Sequence, residues 1–446
     1  MAEGRAQTPL TGGSSPHSRE YRHVDGNIKS AAARFSRGDL LELLLRCAKS
    51  FSAPEYYSMP IVNRVADLHP QITEWRRDLH AHPELQYDVH RTAATVADKL
   101  KAFGCDEVVT GIGRTGVVGV IRGNRTSGSG RVIGLRADMD ALPIEEETGK
   151  PYRSTIPGKM HACGHDGHTA MLLGAAKYLA ETRNFNGTAV MIFQPAEEGG
   201  AGANAMVKDG LMERFHIDEV FGMHNFPGLP LGEFAIRSGP LMAAADRLTI
   251  EIEGVGGHAA RPHLSVDTVL VGAQIINQIQ SIVSRNVDPL QSAVVSICVF
   301  QAGHTDNVIP QTARLSGTAR SFTPETQDLL EKRLHEIIEG TARLYGAKAK
   351  LTYSRDYPVT RNHEAQTQFA ASVAAEVAGP ERVNIDVAPV MGAEDFSFML
   401  NARPGAFIFI GNGPSAGLHH PAYDFNDEAI PVGTSYWARL VEKATA

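Results

Sequence analysis

The chain has 446 residues, more than one ordinary hydrophobic core accommodates, so two domains and a tail are expected. Its 43% hydrophobic and 21% charged residues suit a globular enzyme, and a net charge of −7 argues against the basic surface a nucleic-acid partner requires. No apolar run reaches the ~18 residues of a transmembrane helix, and four cysteines in this length make no disulfide framework, so a cytoplasmic protein without a membrane partner is expected.

Residues 1–58 read as a disordered or accessory extension. The opening MAEGRAQTPLTGGSSPHSREYRHVDG is rich in Gly, Ser, Pro and charge and lacks the apolar stretch of a secretory signal. Within it, Asp39–Phe51 reads as one amphipathic helix packed on the body. A functional start is expected near Met59, where Ile61, Val65, Leu68, Ile72, Trp75 and Leu79 recur at helical spacing. His80, His82 and Glu84 read as a polar helix end closed by Pro83, with metal ligands as the alternative. TAATVADKLKAFG is a second helix, ending at Gly104. The string GxGxxG at Gly111–Gly116 leads into the β-rich VVGVIRG rather than into a helix. It therefore reads as a hairpin turn, not as a dinucleotide-binding loop.

RVIGLRADMDALPI is a buried strand ending in Asp138 and Asp140. Next comes MHACGHDGHTAM, Met160–Met171, which concentrates His161, Cys163, His165, Asp166 and His168. Cys and His are preferred ligands of zinc and neighbouring transition metals. The residues from Thr169 to Arg183 read as an amphipathic helix, which puts the cluster at a helix start. NGTAVMIFQPAEEGGAGA is a second buried strand, ending in Glu197–Glu198, and DEVFGMHNFPG a third, ending in His224. Strands alternating with helices predict a mixed or parallel sheet covered by helices, with ligands at the carboxyl ends of its strands.

From about Leu248 the pattern becomes β-α-β-β-α-β, the order of a ferredoxin-like domain. The expected fold class is α/β: a mixed-sheet catalytic domain over 59–240 and 356–446, interrupted by a small α+β domain over 241–355. MGAEDFSFM and GLHHPAYDFND near the C-terminus are two further polar clusters.

Cys163, His165, Glu198, His224 and one of His419 and His420, with Asp138 and Asp140 beside them, form a donor inventory for two divalent ions. Glu197 and Glu198 cannot easily bind the same ion. One then ligates while the other takes a proton from water and passes it to a leaving amine.

LHAHPEL, LRADMDALPIEE, MHACGHDGHTAMLLGAA, FQPAEEGGAGA, GMHN, GGHAARPH, NVIPQTARLSGTAR, GAEDFSFM and LHHPAYDFND, in that order, resemble the hippurate hydrolase and indole-3-acetyl-amino-acid hydrolase group of the dinuclear aminoacylase/carboxypeptidase metallopeptidases. The resemblance runs from about Ile72 to Val441. It implies Cys163, His165, Glu198, His224 and His419 as metal ligands, the last because the family pattern sets its His directly after Leu418. It implies Glu197 as general base and Asp140 as the acid that orients a ligand; Asp138 stands where other branches carry a metal-binding His. It further implies that the inserted domain dimerises, that His258 reaches a partner's site to stabilise an oxyanion, and that Asn307 and Arg320 hold a substrate carboxylate.

The expected function is therefore metal-dependent hydrolysis of N-acyl or N-aroyl amino acids by a homodimer with two zinc, manganese, cobalt or nickel ions. The alternatives are a deacylase for N-acetyl- or N-succinyl-diaminopimelate and, in another class, a metal-binding relative without turnover.

Overall fold

The computed structural model describes residues 62–124 and 130–446, so the expectations for residues 1–58 lie outside the described residues. The first helices are α1 (Asn63–Ala81) and α2 (His90–Phe103). Helix α2 ends on Gly104 at φ +83°, the left-handed cap its sequence predicts. The hairpin β1 (Glu107–Ile112) and β2 (Gly116–Arg122) follows. Its glycine string is a packing feature: a Cβ on Gly113 would lie 2.5 Å from Met206 Cγ and 2.8 Å from Met206 N. That close approach, together with φ +59°, requires glycine there without any nucleotide.

The apolar runs become β3 (Val132–Asp138), β4 (Thr188–Gln194), β5 (Glu219–Phe226) and β16 (Gly405–Gly411). These four are mutually parallel at the centre of an eight-stranded sheet of order β1-β2-β4-β3-β5-β16-β6-β15, completed by β6 (Phe234–Ala235) and β15 (Val383–Asn384). β2 is antiparallel to β4, so the sheet is mixed. Parallel strands buried on both faces need near-continuous apolar sequence, which these have.

Helix α3 (His165–Thr182) differs from the expectation. It begins four residues earlier than the Thr169 start, so His165, Asp166 and His168 are its first turn. It is also not amphipathic, since 14 of its 18 residues are buried. It is wedged among α1, α2, β3 and the C-terminal helix α7 (Ile430–Ala444). Small residues allow this fit: a Cβ on Gly174 would meet Ile72 Cδ1 at 2.5 Å, and one on Gly167 would meet the Phe425 ring at 2.3 Å.

The inserted segment follows β7 (Gly239–Met242) and forms a four-stranded antiparallel sheet of order β10-β12-β8-β13. Its strands are β8 (Ala244–Glu253), β10 (Ala293–Ala302), β12 (Thr312–Ser321) and β13 (Lys348–Tyr357). Helices α4 (Thr268–Arg285) and α5 (Pro324–Leu344) pack on it, each carrying its own N-cap, Asp267 and Thr323. A short pair, β9 (Gly257–His258) and β11 (Val308–Ile309), extends from it. The strand order is that of the ferredoxin-like pattern. After it, β14 (Thr360–Asn362) pairs with β7, and α6 (Glu364–Ala378) packs beside β16.

Candidate active site

Because β3, β4, β5 and β16 are parallel, their carboxyl ends share one edge, and the chain that follows each delivers its polar residues there. Cys163 Sγ lies 3.4 Å from His224 Nε2. Cys163, His165 and His224 have donor atoms within 4.8 Å of one another, as do Cys163, Glu198 and His419, and His165, Glu197 and Glu198. His165 and His224 are each held by one ring nitrogen. His165 Nδ1 donates to the Asp140 carbonyl at 2.8 Å, and His224 Nδ1 to the Asn225 carbonyl at 2.6 Å. That leaves both Nε2 lone pairs for the site, the arrangement by which outer contacts orient metal-binding imidazoles. Among the described residues, buried His165 Nε2 has no hydrogen-bond partner. A thiol, imidazoles and a carboxylate converging around such an atom fit a divalent ion of borderline softness.

Of the two C-terminal histidines, His419 faces this cluster, with Nε2 3.2 Å from Glu198 Oε1. Its backbone has φ +63°, tied down by its N–H donating to the Ala162 carbonyl at 2.8 Å. His420 instead accepts from the Ala422 N–H through Nδ1.

The carboxylates divide by surroundings. Asp140 accepts from the Glu197 N–H at 2.9 Å and the Glu198 N–H at 3.1 Å. It thus fixes the turn carrying both glutamates, and reaches His165 mainly through its own backbone carbonyl. Both oxygens of Asp138 are already engaged, with Arg136 Nη1 at 2.7 Å and His168 Nδ1 at 2.6 Å. Burial and the charges of Glu394, Glu198 and Asp395 hold the Glu197 carboxyl well above the usual carboxylate range. Burial acts in the same sense on Glu198, but the His419 hydrogen bond and the His165 charge outweigh it, so Glu198 lies below its ordinary value.

Cys163, Glu197, Glu198, His224 and His419 line a cavity of about 700 Å³, a size usual for small-molecule sites. The inserted sheet closes its far side with Asp246, Arg247, Thr318, Arg320 and Asp356. The half-buried Arg320 guanidinium donates to Thr318 Oγ1 and to the Ala319 carbonyl, and among the described residues no carboxylate pairs with it. His258 and Asn307 do not line this cavity. They are exposed beside each other on β9 and before β11, where the Ala259 N–H donates to the Asn307 carbonyl at 3.0 Å.

Sequence reading missed several residues. Glu394 and Asp395, from the unassigned MGAEDFSFM, flank the fully buried Arg136, with contacts of 2.9 Å and 3.1 Å. The Asn225 amide donates to the Cys163 carbonyl at 2.7 Å and itself accepts from the Tyr423 hydroxyl at 2.7 Å. The Glu-Asp pair inside an apolar run was the one available signal, since buried acids demand a partner. His161, from MHACGHDGHTAM, is buried, and among the described residues neither of its ring nitrogens has a hydrogen-bond partner.

The family model described as Peptidase family M20/M25/M40 matches residues 134–443. The hippurate hydrolase of Campylobacter jejuni is 44% identical over 386 residues, covering 86% of this chain and 99% of its own. The IAA-amino acid hydrolase ILR1-like 5 of Arabidopsis thaliana is 37% identical over 418 residues, covering 91% and 94%. Among solved structures, the Bacillus subtilis YXEP protein, a dinuclear metal binding peptidase of the M20 family, superposes with a TM-score of 0.74 at 35% identity, covering 85% of this chain and 99% of its own.

Proposed function

The chain belongs to peptidase family M20/M25/M40, and from that premise we propose that it is a metal-dependent amidohydrolase that cleaves N-acyl or N-aroyl amino acids to a carboxylic acid and a free amino acid. The observation that carries this reading is that Cys163, Glu198, His224 and His419 line one cavity with the buried Glu197, and that His165 has a donor atom within 4.8 Å of those of Cys163 and His224 and of Glu197 and Glu198. Those five residues are the proposed holders of two divalent ions, zinc, manganese, cobalt or nickel. When bound, such ions supply Lewis acidity toward an amide carbonyl and lower the pKa of water.

Glu197 takes a proton on its carboxylate from the attacking water. Its low-dielectric surroundings and its acidic neighbours favour the protonated form, so the proton is retained until the leaving amine accepts it. Asp140 orients Glu197 and Glu198 by accepting from their N–H groups, and His165 through its carbonyl. Arg320 receives the substrate carboxylate, for which its fork geometry and lack of a carboxylate partner suit it. His258 and Asn307, exposed on the inserted segment, are read as completing the site of a partner subunit in a homodimer, His258 donating to the developing oxyanion and Asn307 to the carboxylate.

The inserted segment 241–355 is taken as the dimerising domain, with 59–240 and 356–446 as the catalytic one. The diaminopimelate-type deacylase is not favoured. The test is a folded, metal-loaded Glu197→Ala variant: it is expected to lose turnover of hippurate-like substrates, and near-wild-type turnover overturns the base assignment.

A further inference from the structure

The segment PELQYD, Pro83–Asp88, between α1 and α2, supplies none of the groups the proposed chemistry uses, yet it is bonded to the turn that carries Glu197 and Glu198. We propose that Gln86 and Tyr87 are positioning residues for these two glutamates, holding the main chain of the 196–201 turn so that both carboxylates keep their directions. This rests on the amidohydrolase reading and adds to it two residues that touch neither substrate nor metal.

The turn needs partners from outside. After β4 ends at Gln194, residues 197–200 do not form a regular helix: Glu198 has φ −71° and ψ 70°, and Gly199 has φ +84°. Its main-chain groups therefore lack the bonds a helix would supply and must be paired elsewhere. Asp140 takes the Glu197 and Glu198 N–H groups. Carbonyls of the turn fall to side chains. Gln86 Nε2 donates to the Glu198 carbonyl at 3.1 Å, and the Tyr87 hydroxyl donates to the Gly200 carbonyl at 2.7 Å. The Gln86 carbonyl also accepts from the Ala196 N–H at 3.2 Å, so one residue holds the chain on either side of Glu197. Gln86 makes both bonds from a left-handed backbone of φ +48°. A non-glycine residue keeps such an angle only where its surroundings enforce it, and strain of this kind gathers at functional sites.

The segment is itself anchored. The Glu84 carboxylate accepts from the Arg91 and Thr92 N–H groups, at 3.0 Å and 2.8 Å, in the first turn of α2. The Glu84 carbonyl accepts from the Ala141 N–H at 2.8 Å, directly after Asp140. The Tyr87 carbonyl accepts from Thr115 Oγ1 at 2.9 Å, and the Arg114 guanidinium stands 4.1 Å from the centre of the Tyr87 ring. A Cβ on Gly200 would come within 3.2 Å of Tyr87 Cε2, so the ring lies close against the turn. One short segment thus fixes Asp140 and the glutamate turn against each other. Gln86 and Tyr87 do not line the cavity, so a change in either reaches the reaction through the glutamates and not through substrate contact.

The full chain, reconstituted with divalent metal, is assayed on N-benzoylglycine and N-acetylglycine, with elemental analysis and Tm for each variant. Gln86→Met keeps the length of the side chain and removes its donor, and Tyr87→Phe keeps the ring and removes the hydroxyl. Each is expected to lower kcat about tenfold, with KM within about twofold and bound metal retained. Gln86→Gly separates positioning from folding. Glycine adopts the left-handed angle without strain, so Tm is expected to hold or rise while kcat falls as it does for Gln86→Met. An unchanged kcat overturns the role of the residue altered. So does a kcat that falls only in step with Tm or with metal content, while wild-type turnover keeps the amidohydrolase reading. Turnover of neither substrate by the wild type overturns that underlying reading.

Discussion

The Tyr357 hydroxyl donates to the Glu197 main-chain carbonyl at 2.5 Å and accepts from the Ala201 N–H at 3.2 Å. Tyr357 is the last residue of β13, so the strand leaving the inserted sheet grips the turn that carries the proposed base. That turn is strained: Ala196 and Ala201 have φ of +54° and +53°. Non-glycine residues hold such angles only where surrounding contacts enforce them.

Tyr357→Phe removes both bonds and keeps the ring. We expect kcat to fall about tenfold, with KM and metal content nearly unchanged, because the loss is one of orientation at Glu197. Steady-state kinetics with elemental analysis check this. An unchanged kcat removes Tyr357 from any positioning role.

Cys163 supplies the thiol shared by two of the donor groups. Cys163→Ala is expected to lower both bound metal and rate. Elemental analysis decides, because an unaltered stoichiometry excludes the thiol as a ligand.

Arg136 is buried among Asp138, Glu394 and Asp395. Arg136→Met leaves those carboxylates without their cation. Breaking buried pairs from one side typically costs about 3–5 kcal/mol, which urea unfolding measures. Arg136→Lys is expected to recover only part of the loss, since an ammonium cannot serve several carboxylates with a planar fork. A loss near zero for Arg136→Met contradicts this account.

His80 predicts a pH effect on stability. Burial disfavours its charge, but the charge and hydrogen bond of Asp166 and the hydrogen bond of Glu146 prevail, raising it from 6.5 to about 9. A folded pKa above the unfolded one gives stability that is fully present below pH 6.5 and is lost as pH rises through 9. The contribution is of the order of 3 kcal/mol. His80→Gln is expected to flatten the dependence of Tm on pH between these values. Parallel curves for the two proteins would refute it.

Local pattern made much of the fold legible. The glycine string was readable as a hairpin because β-alternation, not helical spacing, follows it. The three strand ends carrying Asp138, Glu197 and His224 were readable because parallel strands buried on both faces are apolar until they reach the edge. The inserted sheet was readable from the order of its elements. Helix α3 was misread in extent and exposure, since the small residues that let neighbours approach Gly167 and Gly174 look locally like weak helix formers.

By itself, then, the sequence determined the elements, the edge at which polar residues gather, and the types of donor there, because these follow from periods of two and 3.6 and from side-chain chemistry. Tertiary structure decided which partners meet. The Tyr357–Glu197 contact spans 160 residues and the Arg136–Glu394 contact 258, separations over which no local period operates. It also decided that Asp138 is spent on Arg136 and His168, that His419 rather than His420 faces Glu198, and that the Phe226 and Phe409 rings lie 4.8 Å apart. Those outcomes depend on the register of β5 against β16 and on the packing that orients each side chain, which are set only when the whole sheet assembles.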